Sequence, residues 1–139
     1  MGYSKIIVYA AQRHFAYLQT LGATDIVDRG TTPLSSLASA IASEAKITVV
    51  YDTLASAESQ QAAVDIMPVG TKAVSVGEVK DGVKEAEGKK ITSIFGSSFV
   101  PGHREFGVHV FANLEKLIKE GWLKVWGLLY LNGMMLIIS

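Results

Sequence analysis

The sequence predicts an α/β fold in which a parallel sheet of about five strands is flanked by helices. Two observations predict it: short apolar runs bounded by turn residues recur along the chain, and stretches with helical spacing lie between most of them. Nearly continuous apolar runs are typical of strands covered on both faces, as in a parallel sheet, because half-exposed strands alternate apolar and polar residues. The predicted strands are Lys5–Ala10, Thr24–Asp28, Lys46–Tyr51, Lys72–Val76 and Lys90–Phe95.

Helices are predicted between the first four strands. The first helix ends at Leu21-Gly22-Ala23. The second has Thr32 as its predicted N-cap, Pro33 at its first helical position and one apolar face that starts at Leu34. Proline suits the first turn because its missing N–H has no partner inside a helix at that position.

Two further helices and one irregular connection follow. The third helix spans about Ser56–Met67 and stops because Pro68 cannot continue it. The last helix spans about Gly107–Lys119, with Gly121 just past its end. Between the last two strands, Glu78–Lys89 is too short for a full crossover helix with its turns, so we expect a connection that is irregular or carries only a short helix.

Composition narrows the classes of function. The chain has 139 residues, of which 49% are hydrophobic, enough for one domain with a buried core. Thirteen basic residues balance thirteen acidic ones without a long basic run, so nucleic acid is not an expected partner. Without cysteine, the chain fits a reducing compartment, and we expect it to be cytoplasmic. The histidines His14, His103 and His109 have no second ligand at close spacing, so we predict no metal site.

The C-terminal segment Trp122–Ile138 is almost wholly apolar. Lys124, Asn132 and two glycines interrupt it, whereas a membrane-spanning helix needs about 20 predominantly apolar residues. We therefore expect no membrane anchor in this segment.

Four strings occur in a fixed order along the chain: IVYAAQRHFAYLQTLGA at Ile7–Ala23, IVD at Ile26–Asp28, YD at Tyr51–Asp52 and QQAA at Gln60–Ala63. Together they resemble the cofactor domain of the medium-chain dehydrogenases/reductases. Within that family, the match is to the zinc-binding alcohol dehydrogenase-like branch of quinone oxidoreductases and fungal trans-enoyl reductases, and it extends to about Gly121. The resemblance implies a Rossmann-like fold and an NADPH-dependent oxidoreductase that reduces carbon–carbon double bonds or quinones.

The same resemblance implies that part of the family's plan is missing. In the family, a catalytic domain, a first strand and a G-x-G-x-x-G turn precede the strand that Lys5–Ala10 matches, and the backbone of that turn holds the pyrophosphate at a helix N-terminus. Only four residues precede Lys5. We therefore expect a partial cofactor domain, with no catalytic residue, no catalysis alone, and NADPH binding that is weak or lost.

The end of the first strand is where the family distinguishes NADP from NAD. A small polar residue, a basic residue and a tyrosine often hold the 2'-phosphate there, and the resemblance places Ala11, Arg13 and Tyr17 at these positions. Ala11 departs from this pattern. Arg13 could donate a forked, charge-assisted contact to phosphate, and Tyr17 lies one helical turn later. Because no acidic residue follows this strand to bind ribose hydroxyls, the prediction is NADPH. The alternative is a solvated arginine and a tyrosine packed on the surface.

The loop after the third strand is the expected place of adenine or ribose, which makes Thr53 and Leu54 candidate contacts. Asp52, at the strand end, is expected to cap the loop or the next helix. A receiver domain would present a phosphate-accepting aspartate at such a strand end. It also needs an acidic pair near its first strand, where this chain has Ala11–Arg13.

The ends of the last two strands are expected to face the nicotinamide half of the cofactor. The candidate residues are Val76 and Gly77 at the end of one strand, and Phe95, Gly96 and Ser97 at the end of the other. The glycines would let the backbone approach the ring closely. Ordinary turn chemistry is the alternative.

The missing strand creates a gap at the middle of the predicted sheet. In the family's strand order, 3-2-1-4-5-6, it lies between the strands Lys5–Ala10 and Lys46–Tyr51. Its loss would leave two rows of backbone groups unpaired, at about 1 to 3 kcal/mol for each buried group without a partner. Three outcomes are open: the halves pair directly, another chain inserts a strand, or another segment of this chain fills the position. The segment after Gly121 is the one most able to do so.

The chain after Gly121 departs from the family, which continues with a polar, proline-containing stretch. We therefore divide the chain into a partial cofactor domain, 1–121, and an apolar tail, 122–139. The departure resembles a shifted reading frame or a retained intron, and its apolar surface predicts homo-oligomers. The alternative function is a non-enzymatic interaction or effector module that uses the tail as its contact surface.

Overall fold

The computed structural model describes residues 3–42, 47–97, 99–121 and 135–138. Backbone contacts divide the chain into two compact units, one formed by residues 1–94 and 132–139 and the other by residues 95–131. These units do not test whether the segment after Gly121 departs from the family, so the division at that residue stays a prediction.

The first unit contains a six-stranded sheet with the order β2-β1-β6-β3-β4-β5. Neighbouring strands are parallel except for β6, which is antiparallel to both β1 and β3. The strands are β1 (Ile6–Ala10), β2 (Asp25–Asp28), β3 (Val49–Asp52), β4 (Lys72–Ser75), β5 (Lys90–Ser93) and β6 (Met135–Ile138). The predicted α/β class and all five predicted strands are confirmed, with bounds that shift by a few residues. The predicted start of the third strand, Lys46, lies outside the described residues.

The sixth strand occupies the central position that the predicted strand order leaves open. Ile137 of β6 lies opposite Ile7 of β1 and Val50 of β3. Ile7 and Val50 are both buried and belong to the same core cluster. Because a shift of one residue turns every side chain of a strand to the other face, β6 aligns the core residues of the two halves of the sheet. The C-terminal segment is therefore the part of the chain that fills the gap.

Two helices cover the larger core face of the sheet, α2 (Leu34–Ala40) and α3 (Ala57–Ile66). Leu37 of α2 and Val64 of α3 are almost fully buried in the same cluster as Ile7 and Val50. The predicted N-cap Thr32 is wrong by one residue, because Pro33 has extended backbone and itself precedes the first helical residue.

The third helix begins where the sequence predicts. The Ser56 hydroxyl accepts a hydrogen bond from the Ser59 N–H, and the Ser59 hydroxyl accepts one from the Ser56 N–H. This reciprocal capping satisfies two donors that a helix start otherwise leaves without partners. A shorter helix, α1 (Phe15–Thr20), packs Leu18 against Val8 and Ala10 in a second, smaller cluster.

The second unit contains a 3₁₀ turn, Pro101–His103, followed by α4 (Arg104–Ala112) and α5 (Leu114–Lys119). A single helix over Gly107–Lys119 is therefore wrong. The break lies at Asn113, whose backbone N–H and side-chain amide both donate to the His109 carbonyl and so close the last turn of α4.

The connection Glu78–Lys89 contains neither helix nor strand, which is the irregular form of the two that the sequence allows. Among the described residues, no helix combines the length and apolarity that a bilayer crossing requires.

We predict that proline in β6 destabilises the first unit. Ile137→Pro removes one backbone donor from the centre of the sheet and should lower the free energy of unfolding by about 3 kcal/mol more than Ile137→Ala, which keeps the N–H. Thermal and urea unfolding followed by circular dichroism would measure the difference. Equal stability of the two variants would show that β6 does not pair in solution.

Candidate functional site

The carboxyl ends of β1 and β2 form one edge of the sheet. Ala10, the last residue of β1, lies opposite Asp28, the last residue of β2. The backbone N–H of Arg29 donates to the Ala10 carbonyl at 3.0 Å and extends this pairing by one step. The residues that follow the two strands are therefore brought to the same edge, where parallel α/β folds bind ligands.

Arg13 lies directly after β1, in a 3₁₀ turn that leads into α1. Its side chain is exposed. The Arg13 Nε donates to His14 Nε2 at 3.1 Å, which leaves the terminal nitrogens of the guanidinium to other partners. Contact of this guanidinium with a phosphate stays a prediction.

Tyr17 lies in α1, one turn beyond Arg13, but its hydroxyl oxygen is buried. Burial raises the pKa of Tyr17 above the ordinary value for tyrosine. Arg13 sits in a 3₁₀ turn, in which residues three apart align, so the i, i+4 alignment of an α-helix does not carry over to this pair. Joint contact of Arg13 and Tyr17 with one phosphate stays a prediction.

Arg29 is a further candidate for ligand binding that was not among the residues predicted from the sequence. It follows β2 at the same edge and lies close enough to Tyr9 for its charge to lower the pKa of the Tyr9 hydroxyl, although burial dominates and the net pKa is raised. Tyr9 in turn donates to the Thr32 carbonyl at 2.9 Å. The sequence could have identified Arg29 through the predicted pairing of the first two strands. In a parallel pair, the first residue after each strand lies at the same edge of the sheet.

Asp52 organises the loop that follows β3. Its side chain is fully buried, and Oδ1 accepts hydrogen bonds from the N–H groups of Leu54 at 2.9 Å and Ala55 at 3.3 Å. The hydroxyls of Ser59 and Ser75 donate to Oδ2 at 3.1 and 3.3 Å. A carboxyl group enclosed in this way fixes the loop to α3 and β4 and is closed to phosphorylation, which removes the receiver-domain alternative.

The candidate residues Thr53 and Leu54 lie in this fixed loop. Leu54 is partly buried against the main core cluster, so part of its side chain is used for packing. Ala55 has a φ of 54°, in the left-handed region that an alanine rarely adopts. The bonds from Asp52 hold that conformation in place.

Packing requires a glycine at position 77. A Cβ added there would lie 2.7 Å from the Cβ of Ala55, much closer than two carbon atoms can approach. The loop after β3 therefore packs directly on the backbone after β4. Val76 donates its N–H to the Asp52 carbonyl at 3.0 Å and is partly exposed beside this contact. A role of Val76 and Gly77 in cofactor binding stays a prediction.

Gln60 anchors the irregular segment that follows Gly77. Its Nε2 donates to the Ser75 hydroxyl at 3.1 Å and to the Glu78 carbonyl at 2.8 Å, while its Oε1 accepts from the Lys80 N–H at 2.7 Å. Gln60 is fully buried, so it gives the chain after β4 a fixed path. This explains the structural value of the glutamine in the QQAA string.

The remaining candidates, Phe95, Gly96 and Ser97, belong to the second compact unit. Phe95 is exposed, and a Cβ added at Gly96 would meet no atom within 4 Å, so packing does not require glycine there. The Ser97 N–H donates to the Phe95 carbonyl at 2.9 Å in a tight turn. The proximity of this turn to a cofactor stays a prediction.

The centre of the edge is taken by β6. Because β6 is antiparallel, Met135 lies opposite Tyr9 and Asp52, near the ends of β1 and β3. The beginning of β6, rather than its end, therefore lies at the edge where a dinucleotide-binding fold has a strand-to-helix turn for the pyrophosphate. The described residues include no group of three His, Asp or Glu side chains that could hold a metal.

Comparisons with known proteins extend this description. No protein-family model matches the sequence, and no curated protein matches it. Solved structures do match the fold. A probable oxidoreductase from Mycobacterium abscessus superposes with a TM-score of 0.58 at 18% identity over 84% of this chain and 36% of that one. A benzyl alcohol dehydrogenase from Acinetobacter calcoaceticus gives 0.55 at 21% identity over 86% of this chain and 34% of that one.

These likenesses show the fold. The chain spans about a third of the length of both solved proteins and has the Rossmann-like α/β architecture of part of each. The predicted fold class is thereby confirmed.

We predict that Asp52→Ala destabilises the first unit by about 2 to 4 kcal/mol, because two N–H groups and two hydroxyls lose a buried acceptor. The matched control is Asp65→Ala on α3, an exposed residue that accepts one hydrogen bond from Gln61. The control should cost about 0.5 kcal/mol or less. Urea unfolding of both variants would test the contrast, and equal losses would contradict it.

We predict a rescue between Gly77 and Ala55. Gly77→Ala should destabilise the chain by about 1 to 3 kcal/mol, because its Cβ overlaps that of Ala55. Ala55→Gly removes the facing methyl group and relieves the positive φ. The double variant should therefore recover most of the loss in a double-mutant cycle of unfolding free energies. Additive effects of the two substitutions would show that the two loops are not in contact.

Proposed function

We propose that this chain is a partial NADPH-binding domain that holds the adenosine half of the cofactor at the edge formed by β1 and β2. The observation that carries the proposal is the exposed Arg13 directly after β1, in a segment, Ala11–His14, that contains no acidic residue. A guanidinium favours the 2'-phosphate of NADPH, whereas NAD-binding folds often use a carboxylate for the ribose hydroxyls at this place.

The neighbouring strand supports the same choice. Arg29 is the first residue after β2 and adds a second basic residue to this edge of the sheet, on the strand next to β1. Asp28, the last residue of β2, places one carboxylate at the same edge, and its Oδ1 accepts the Gly30 N–H at 2.8 Å. Two arginines against one carboxylate give these strand ends a net positive charge, which suits a phosphate monoester better than a neutral sugar.

The reaction class rests on resemblance and fold. The parent enzyme would be an oxidoreductase resembling quinone and enoyl reductases, in agreement with the oxidoreductases that share the fold. The central position, where a pyrophosphate would meet a helix N-terminus, holds β6. We therefore propose weak binding of the cofactor through its adenosine end and no catalysis by this chain alone.

An interaction module is the second candidate. Phe99, Phe106 and Phe111 of the second unit are 96%, 72% and 68% exposed, which is unusual for phenylalanine. Residues 122–134 of the tail named in that hypothesis lie outside the described residues. The described part of the tail is β6. Deleting everything after Gly121 is not a clean test, since it also removes the central strand.

We predict that the chain binds 2',5'-ADP more tightly than 5'-AMP, and that Arg13→Ala removes this preference. Loss of a charge-assisted contact of about 1.5 to 3 kcal/mol lowers the affinity for 2',5'-ADP roughly 10- to 100-fold and leaves 5'-AMP unchanged. Isothermal titration of both nucleotides against both proteins would measure it.

The control is Arg104→Ala, which removes an exposed arginine from the second unit and should not alter either affinity. Equal affinity of the unmodified chain for the two nucleotides would reject the 2'-phosphate site. Binding of neither nucleotide at millimolar concentration would leave the fold without its proposed function and favour the interaction module.

A further inference from the structure

The central strand is separated in sequence from the other strands of its sheet. The second unit, residues 95–131, lies between β5 and β6. The backbone of β6 then pairs with β1 on one side and β3 on the other. Removing β6 would leave the connections among β1 to β5 unchanged, since it follows all of them.

The position between β1 and β3 specifies the strand that it accepts. Its two walls are the backbone edges of Ile6–Tyr9 and Val49–Asp52, and both pair with a strand that runs in the opposite direction. The occupant is four residues long and consists of Met, Leu and two Ile. An apolar strand is appropriate at the centre of a sheet whose adjacent residues Ile7, Val8 and Val50 are all buried.

We propose that this position is a strand-acceptor site and that β6 of a second copy of the chain occupies it in a strand-exchanged dimer. The second copy's strand would make the same pairings in the same register, so exchange loses no strand contact and changes only the connection. About 40 residues join β5 to β6, and they set the effective concentration with which a chain's own β6 competes against that of another copy.

The order of folding favours exchange at high protein concentration. Ile7 and Ile137 are opposite one another but about 130 residues apart in sequence, whereas β1 meets β2 after a single short helix. Local units such as β1–α1–β2 can form while the acceptor is still open. An open acceptor has two unpaired strand edges, which bind any strand of suitable register, and another copy provides one.

The absence of cysteine allows a direct test with two single-cysteine variants, Val8→Cys and Leu136→Cys. These residues lie directly opposite each other in β1 and β6, within the distance that a disulfide can bridge. The two variants are unfolded, mixed at high concentration, refolded and oxidised. We expect a disulfide-linked dimer joining position 8 of one chain to position 136 of the other, identified by mass spectrometry of the linked peptides.

The matched control is Thr92→Cys mixed with Leu136→Cys, because β5 is at the far edge of the sheet from β6. The 8–136 product should exceed the 92–136 product at least tenfold and should increase with protein concentration during refolding. A Val8→Cys/Leu136→Cys double variant reports the pairing within one chain. Should that variant close its disulfide only in monomers, while the mixture yields no 8–136 dimer above the control, the proposal is overturned.

Discussion

The structure depends on backbone pairing at the centre of its sheet. β1 and β3 are each satisfied on one side by a parallel neighbour, β2 or β4, and their other sides face a position that must hold a strand. Buried backbone N–H and C=O groups are almost always hydrogen-bonded, because water cannot replace a missing partner there. β6 meets this requirement for both strands at once. The main core cluster, from Ile7 in β1 to Ile91 in β5, lies across the joined halves.

Buried hydrogen bonds also fix the loops at the carboxyl edge of the sheet. Asp52 and Gln60 are fully buried polar side chains whose hydrogen bonds go to backbone groups and hydroxyls of the segments after β3 and β4. Those bonds fix the paths of the two segments. The edge is thus held by hydrogen bonds around Asp52 and Gly77, at the ends of β3 and β4. Basic residues follow β1 and β2, and β6 lies between these two pairs of strands. A cofactor bound there would be held mainly from one side.

The sequence was sufficient for the features that depend on local pattern. Apolar runs predicted the five parallel strands, Ser56 predicted the start of α3, and the strand order predicted a gap at the centre. The direction of β6 was not predictable, because four consecutive apolar residues have no period and the direction depends on where the connection returns. The break at Asn113 was hidden by an apolar stripe that runs through it. The burial of the Tyr17 hydroxyl was not predictable, because sequence spacing does not say what packs over a helix face. The i, i+4 alignment of Arg13 with Tyr17 assumes an α-helix, whereas Arg13 lies in a 3₁₀ turn.

The antiparallel central strand also determines how the sheet can open. In an ordinary parallel sheet, amide hydrogens are protected most at the centre, and protection falls toward both edges. Here the amides of β1 and β3 that bond to β6 depend on the element attached through the longest connection. Departure of that one strand would expose residues near position 7 and near position 50 to hydrogen exchange in the same event, although α1, β2 and α2 lie between them in sequence. The middle of this sheet would then be a single cooperative unit whose opening free energy is that of β6.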